Sequence, residues 1–305
     1  VTALTPSVLA WRDRGRFLRI AGHSVFVIDT GPRDADTLLL LHGFPTSSHD
    51  YRHVLPTLAV EHRVLALDYL GFGLSDKPAD YSYSLFEQAE LVCMLTRLLG
   101  VHRLKLVSHD MGTSVVTELL AKRERGLLPF EIDALVLMNG SVHIELSSLT
   151  ASQRILRTRF APWFVKLSSR RTFGRQMQRI SGKPLSDADL DDMWCAMQHK
   201  DGLARLPEMI QYIDERHRFW QRWVGALTRL DVPALVLWGA ADTVAVMAIG
   251  EKLAGEIPDA RLVRLDGVGH YLMLEDPQKT LAALEGFLGT ARPRQPMASQ
   301  PALLR

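Results

Sequence analysis

Seven short apolar runs, at residues 25–29, 37–41, 64–68, 104–107, 134–138, 234–238 and 261–265, alternate with longer stretches whose apolar residues recur every three or four positions, such as 85–99 and 113–122. The short runs suit buried strands, and the three-to-four spacing suits amphipathic helices. Strand and helix in alternation imply a mostly parallel, doubly wound sheet of the α/β class with both faces covered. The rhythm stops between residues 142 and 228, where helical patterns rich in arginine and aromatic residues follow one another. An inserted helical cap fits this break. It would rise from the carboxyl edge of the sheet, where open α/β folds bind ligands. The expected organisation is a first core segment at 1–141, the cap at 142–228, a second core segment at 229–290 and a disordered tail at 291–305.

The strand at 104–107 runs into Ser108-His-Asp110-Met-Gly112 and then a helical pattern. Small residues two before and two after a central position allow the sharp strand-to-helix turn that lifts a nucleophile above the sheet. Here the central residue is Asp110. A carboxylate is ionised near neutrality and can attack without first losing a proton, which predicts a covalent ester between enzyme and substrate. An Asp in this place could also be a helix N-cap, so its neighbours decide between the two readings.

Those neighbours lie at the ends of other strands. After 37–41 comes His42-Gly43-Phe44-Pro45, whose glycine turn aims the Phe44 amide at the same space as the Met111 amide. Two converging amides would form an oxyanion hole. After 234–238 comes Asp242, and after 261–265 comes His270, which completes the chain order nucleophile, acid, histidine. The segment from Asp68 to Ser75 contains Gly71 and Gly73 but lacks the third glycine of a dinucleotide loop, so it reads as a tight connection.

Composition narrows the partners. With 36 basic and 34 acidic residues the net charge is +2, which offers no electrostatic footprint for nucleic acid or an anionic membrane. The basic clusters at 154–159 and 170–171 read as solvated helix faces. Cys93 and Cys195 are isolated, and the eleven histidines form no metal-binding spacing, so neither disulfide, metal nor cofactor is expected. No run approaches the roughly 18 apolar residues of a membrane span, and a cytoplasmic location is the expectation. The expected partners are a hydrophobic small molecule and water, and a homodimer stays open.

Together these segments resemble the α/β-hydrolase fold, and within it the epoxide hydrolase and haloalkane dehalogenase group. The resemblance covers about residues 20–290. The segments 42–48, 192–194, 211–213 and 222–227 are similar to the branch that includes the animal mesoderm-specific transcript protein and bacterial relatives. It implies a hydrolase in which Asp110 attacks, Asp242 orients His270, and His270 activates water. Dehalogenases of the group hold halide with an indole after the nucleophile and an Asn or Trp in the His-Gly loop. Met111 and Phe44 occupy those places and offer no such proton. Fluoroacetate dehalogenases carry an arginine where Met111 stands. Epoxide hydrolases use cap tyrosines as acids, one of them about twenty residues before the proline that opens the next strand. Tyr212 stands 21 before Pro233 and is the sole tyrosine of 142–228; a second donor among His143, His199 and Trp163 is not singled out. The expected substrate is therefore a hydrophobic epoxide, contacted by Phe44, Met111, Trp163, Trp194 and Tyr212. Dehalogenation, ester or lactone hydrolysis, and a binding protein that kept the fold are the alternatives.

Overall fold

Strands β1 (Arg16–Ile20), β2 (His23–Thr30), β3 (Thr37–Leu41), β4 (Arg63–Leu67), β5 (Arg103–His109), β6 (Glu131–Met138), β7 (Ala234–Gly239) and β8 (Ala260–Leu265) form one sheet in the computed structural model, which describes residues 3–140 and 142–291. Their order is β1-β2-β4-β3-β5-β6-β7-β8. From β4 to β8 every pairing is parallel. The central strands β3 and β5 are buried almost along their whole length, as expected where helices cover both faces.

β1 is absent from the sequence reading because its two arginines break the apolar run. It pairs antiparallel with β2 through a turn at Ala21-Gly22, both at positive φ (49° and 83°). That geometry matches a two-residue hairpin loop. β2 in turn pairs antiparallel with β4, so the parallel sheet carries an antiparallel edge. The helix Pro6–Arg14 was likewise not anticipated. It ties the cap to the core, since Thr5 Oγ1 donates to Asp192 (2.6 Å) and Trp11 Nε1 donates to Ser48 Oγ (3.2 Å).

Register brings the loops together. Leu41 of β3 pairs with Ser108 of β5, and Ser108 pairs with Leu137 of β6, so the residues following these strands emerge side by side. Between β6 and β7 the described residues form helices and no strand, in line with the break read from the sequence. The last of these helices, Tyr212–Thr228, packs on Met111–Glu124, the helix that follows β5. Their contact centres on buried Glu118, which accepts from Arg222 Nε and Nη2 and from Trp223 Nε1, each at 2.8 Å. A buried carboxylate filled by three donors fixes the register of one helix on the other. The expected tail lies outside the described residues except for Ala291.

Gly112 shows how closely the first turn of Met111–Glu124 approaches β3. A Cβ there would lie 2.5 Å from the Leu41 carbonyl oxygen, a backbone atom that cannot yield. Gly112→Ala is therefore expected to lower the unfolding free energy by roughly 1–3 kcal/mol, read as a shifted urea midpoint; an unchanged midpoint would show that strand and helix can part freely.

Candidate active site

Asp110 occupies the turn between β5 and its helix with φ 46° and ψ −115°, a backbone conformation that L-residues other than glycine rarely adopt. Its own amide still donates to Met138 O (3.1 Å), and Thr113 returns two bonds to its carbonyl, from N (3.0 Å) and Oγ1 (2.7 Å). The Asp110 side chain makes no capping bond to the helix it precedes. It turns toward the β3 loop, where Phe44 N donates to Oδ2 at 2.9 Å. Two glycines make room for it. A Cβ at Gly43 would lie 2.5 Å from the Asp110 Cβ, and one at Gly140 would lie 2.2 Å from the Asp110 carbonyl oxygen.

The Phe44 amide is aimed by His42. Nδ1 of His42 donates to Gly43 O (2.8 Å), and Nε2 accepts from Tyr69 N (3.1 Å), so the ring is the neutral Nδ1–H tautomer. Burial pushes its pKa down and keeps it neutral. The segment after β4 is a connecting loop, as read from the sequence. Asp68 accepts from Ser48 N (2.8 Å), Ser48 Oγ (2.6 Å) and Leu74 N (2.8 Å).

Asp242 and His270 meet at the neighbouring strand ends. His270 Nδ1 lies 2.6 Å from Asp242 Oδ2, and that oxygen also accepts from Asn139 Nδ2 (2.8 Å). Oδ1 of Asp242 accepts the amides of Val244 (2.7 Å) and Ala245 (3.0 Å). Burial disfavours charge on His270, but the adjacent Asp242 outweighs it, with Asp110 adding to the effect, and the pKa rises to about 9. His109 behaves oppositely: burial, then the His270 charge, lowers it to about 4, and its Nε2 donates to His270 O (2.8 Å).

Sequence reading missed two residues that hold this arrangement. Asn139, at φ 36° just after β6, links Asp242 to β7 through Gly239 N (2.7 Å) and Gly239 O (3.2 Å). Glu275 is the second. Its Oε2 accepts from Gly269 N (2.6 Å), Gly182 N (2.8 Å) and Lys183 N (3.0 Å), and its Oε1 accepts from Tyr271 N (2.9 Å). It thus grips the chain on both sides of His270 and ties it to the cap. His270 N itself donates to Ile180 O (3.0 Å). A glutamate five residues after the loop histidine was a visible signal, but only the folded loop shows what it holds.

A cavity of about 540 Å³ lies under the cap, with Phe44, Pro45, Thr243 and Val244 beside the site and Trp194, Phe164 and Phe173 from the cap. The lining is mainly apolar. Tyr212 is fully buried next to it, its ring 5.7 Å from that of Phe44 and under the Arg216 guanidinium at 4.5 Å. Burial raises the phenol pKa, and so does the Asp110 charge, while Arg216 and the Gln153 side chain oppose them. Met111 is buried at the helix start and Trp163 is 73% exposed; neither they nor Tyr212, Asp110, Asp242 and His270 are among the residues that line the cavity, whereas Phe44 and Trp194 are. His143 is engaged by Glu145 (3.1 Å) and Glu256 (2.7 Å). Among the described residues no cluster could hold a metal.

The α/β hydrolase fold family matches residues 36–277. LipZ of Mycobacterium tuberculosis is 44% identical over 277 residues, covering 90% of this chain and 95% of LipZ. The human mesoderm-specific transcript homolog protein is 35% identical over 300 residues, covering 94% of this chain and 89% of the relative. The crystal structure of haloalkane dehalogenase DbeA from Bradyrhizobium elkani superposes with a TM-score of 0.76 at 23% identity, over 90% of this chain and 97% of DbeA, a likeness of fold.

Removing the Glu275 carboxylate leaves four amides without their acceptor. Glu275→Ala is expected to cost on the order of 3 kcal/mol of stability in urea titration; a loss under about 1 kcal/mol would mean that water takes its place.

Proposed function

Because the chain belongs to the α/β-hydrolase fold family, we propose that it is a hydrolase working through an Asp110 ester, and that its substrate is a small hydrophobic epoxide. The observation that carries this reading is the Asp110 carboxylate on a positive-φ turn, accepting the Phe44 amide and neighbouring the Asp242–His270 pair. A mainly apolar cavity is lined by their chain neighbours Phe44, Pro45, Thr243 and Val244.

In the first step Asp110 Oδ1 attacks an epoxide carbon, since Oδ2 is engaged by the Phe44 amide. The ring C–O bond breaks, and Tyr212 donates its proton to the departing oxygen. The raised phenol pKa keeps that proton on Tyr212 until the oxygen becomes basic. Esterification removes one of the negative charges that hold the His270 proton, so the imidazolium releases that proton to solvent and the neutral ring can act as a base. His270 then takes a proton from water, and the water oxygen attacks the Asp110 carboxyl carbon. Charge gathers on Oδ2, where the Phe44 and Met111 amides stabilise it. The bond from the carboxyl carbon to Oδ1 breaks, the diol leaves with Oδ1 and the His270 proton, and the proton still on the water-derived oxygen of Asp110 returns to the Tyr212 phenolate, so that both groups are restored.

A second reading is haloalkane dehalogenation, suggested by a haloalkane dehalogenase of Bradyrhizobium diazoefficiens that is 38% identical over 104 residues, about a third of each chain. Against it, neither Phe44 nor Met111 has a side-chain proton for a departing halide. Ester or lactone hydrolysis and a purely binding role are less well supported, because they leave the Tyr212 hydroxyl or the Asp242–His270 pair without a task.

His270→Ala, incubated with mixed epoxides and alkyl halides, is expected to accumulate an added mass on Asp110, whereas Asp110→Ala stays unmodified. In heavy-oxygen water the native enzyme should label Asp110 in a single turnover; persistent lack of label would refute the ester route. Tyr212→Phe is expected to slow epoxide opening by about 10²- to 10⁴-fold while sparing any halide displacement. Equal loss on both substrates would assign Tyr212 a packing role.

A further inference from the structure

The chain as a whole is nearly neutral, but its charge is not evenly spread. Residues 146–186 contain nine basic side chains and no acidic one, so the remainder of the chain is net negative. Three of the nine are paired with acids elsewhere: Arg157 with Asp214, Arg170 with Asp187 and Asp191, and Lys183 with Asp276. The other six, Arg154, Arg159, Lys166, Arg171, Arg175 and Arg179, are exposed and form no ion pair among the described residues. Arg171, Arg175 and Arg179 recur every four positions on the helix Arg170–Ile180 and so share one face. A cationic face without counter-charges holds its Coulomb energy in reserve for an anionic partner.

Large apolar side chains are exposed in the same stretch. Phe160 (57%), Trp163 (73%) and Leu167 (75%) lie at spacings of three and four around the short helix Ala161–Leu167, with Ile155 just before it. Trp163 and Leu167 stand largely open, and the Arg159 guanidinium lies over the Phe160 ring at 5.1 Å. The patch is continuous with the cavity, because Ile155, Phe164, Ser168, Arg175 and Arg179 from these same helices line it. An exposed tryptophan and aliphatic residues on helices that also carry exposed arginine and lysine match the chemistry of a lipid–water interface, where the indole sits at headgroup level and the cations meet phosphate. A soluble acidic protein would explain the cations but not the protruding Trp163 and Leu167.

We propose that this face of the cap docks on an anionic lipid bilayer, placing the cavity rim at the membrane so that apolar substrate enters from the lipid. The near-neutral charge of the whole chain averages out this local cationic excess. No helix among the described residues is long and apolar enough to cross a bilayer, so the contact is peripheral. The proposal does not depend on the epoxide reading, because it concerns how the protein is held and not what it cleaves.

The test is co-sedimentation of the full chain with vesicles of phosphatidylcholine alone or mixed with phosphatidylglycerol. Binding is expected only to the mixed vesicles, with release at high salt. Trp163→Glu combined with Leu167→Glu, and separately Arg171→Glu combined with Arg175→Glu, should each weaken binding about tenfold or more. Trp220→Glu, at a half-exposed site on another helix, should leave it intact. Thermal melts of each variant establish that it is folded. Absence of binding to mixed vesicles, equal binding to both kinds, or folded variants that bind as well as the native chain would overturn the proposal. So would a native dimer that the Trp163 and Leu167 changes convert to monomer without any vesicle binding, since a second copy would then be the occupant.

Discussion

The geometry of the site rests on one strained residue. Asp110 sits at φ 46° and ψ −115°, which costs about 1–3 kcal/mol for a non-glycine residue and persists only where the surroundings allow no other path. Those surroundings are three glycines and a set of bonds. Gly112 lets the helix start lie against β3, Gly43 and Gly140 admit Asp110 itself, and bonds to Met138 and from Thr113 hold its backbone. With the backbone so constrained, the carboxylate has little freedom to leave the Phe44 amide.

Around this turn, loops are held by buried carboxylates more than by apolar packing. Asp68 closes the β4 loop, Asp242 gathers two amides and Asn139, Glu118 binds the helix Tyr212–Thr228 to the helix Met111–Glu124, and Glu275 collects four amides around His270 and residues 182–183. Each is filled by donors, so its desolvation is offset, and each donor geometry specifies one loop shape. Apolar contacts would tolerate slippage that these bonds do not. The catalytic reading needs such rigidity, because a displacement of about 1 Å at a reacting group can cost on the order of a hundredfold in rate.

Electrostatics divides the molecule into two regimes. In the dry interior, Asp242 and Asp110 outweigh burial and raise the His270 pKa, while burial and the His270 charge lower that of His109 beside it. Loss of the Asp110 charge during reaction would shift that balance at the moment a base is required. On the cap surface the cations are instead exposed and unmatched, and their effect is long-range attraction subject to salt screening.

Much of the architecture was legible in the chain order of residues. Apolar runs separated by helical periods located seven of the eight strands, because burial on both faces leaves a strong periodic imprint, and between β6 and β7, where those runs stop, the described residues form helices. Glycine spacing around Asp110, and acids and histidines just after strand runs, pointed to the loops that converge. The edge strand β1 escaped because alternation with arginine leaves only a weak apolar signal. Trp163 is a second instance: periodicity shows that an aromatic lies on a helix but not which way that helix faces, and the folded cap turns it outward while Trp194 meets the cavity. Local sequence therefore determined the elements, their order and the sharp turn at Asp110, since these depend on neighbours along the chain. Only the tertiary structure decided that Glu275 and Asn139 brace the His270 loop, because those relations join residues that sequence distance keeps apart, and that Trp163 and six cations of residues 154–179 are left exposed, because exposure depends on what packs over each side chain.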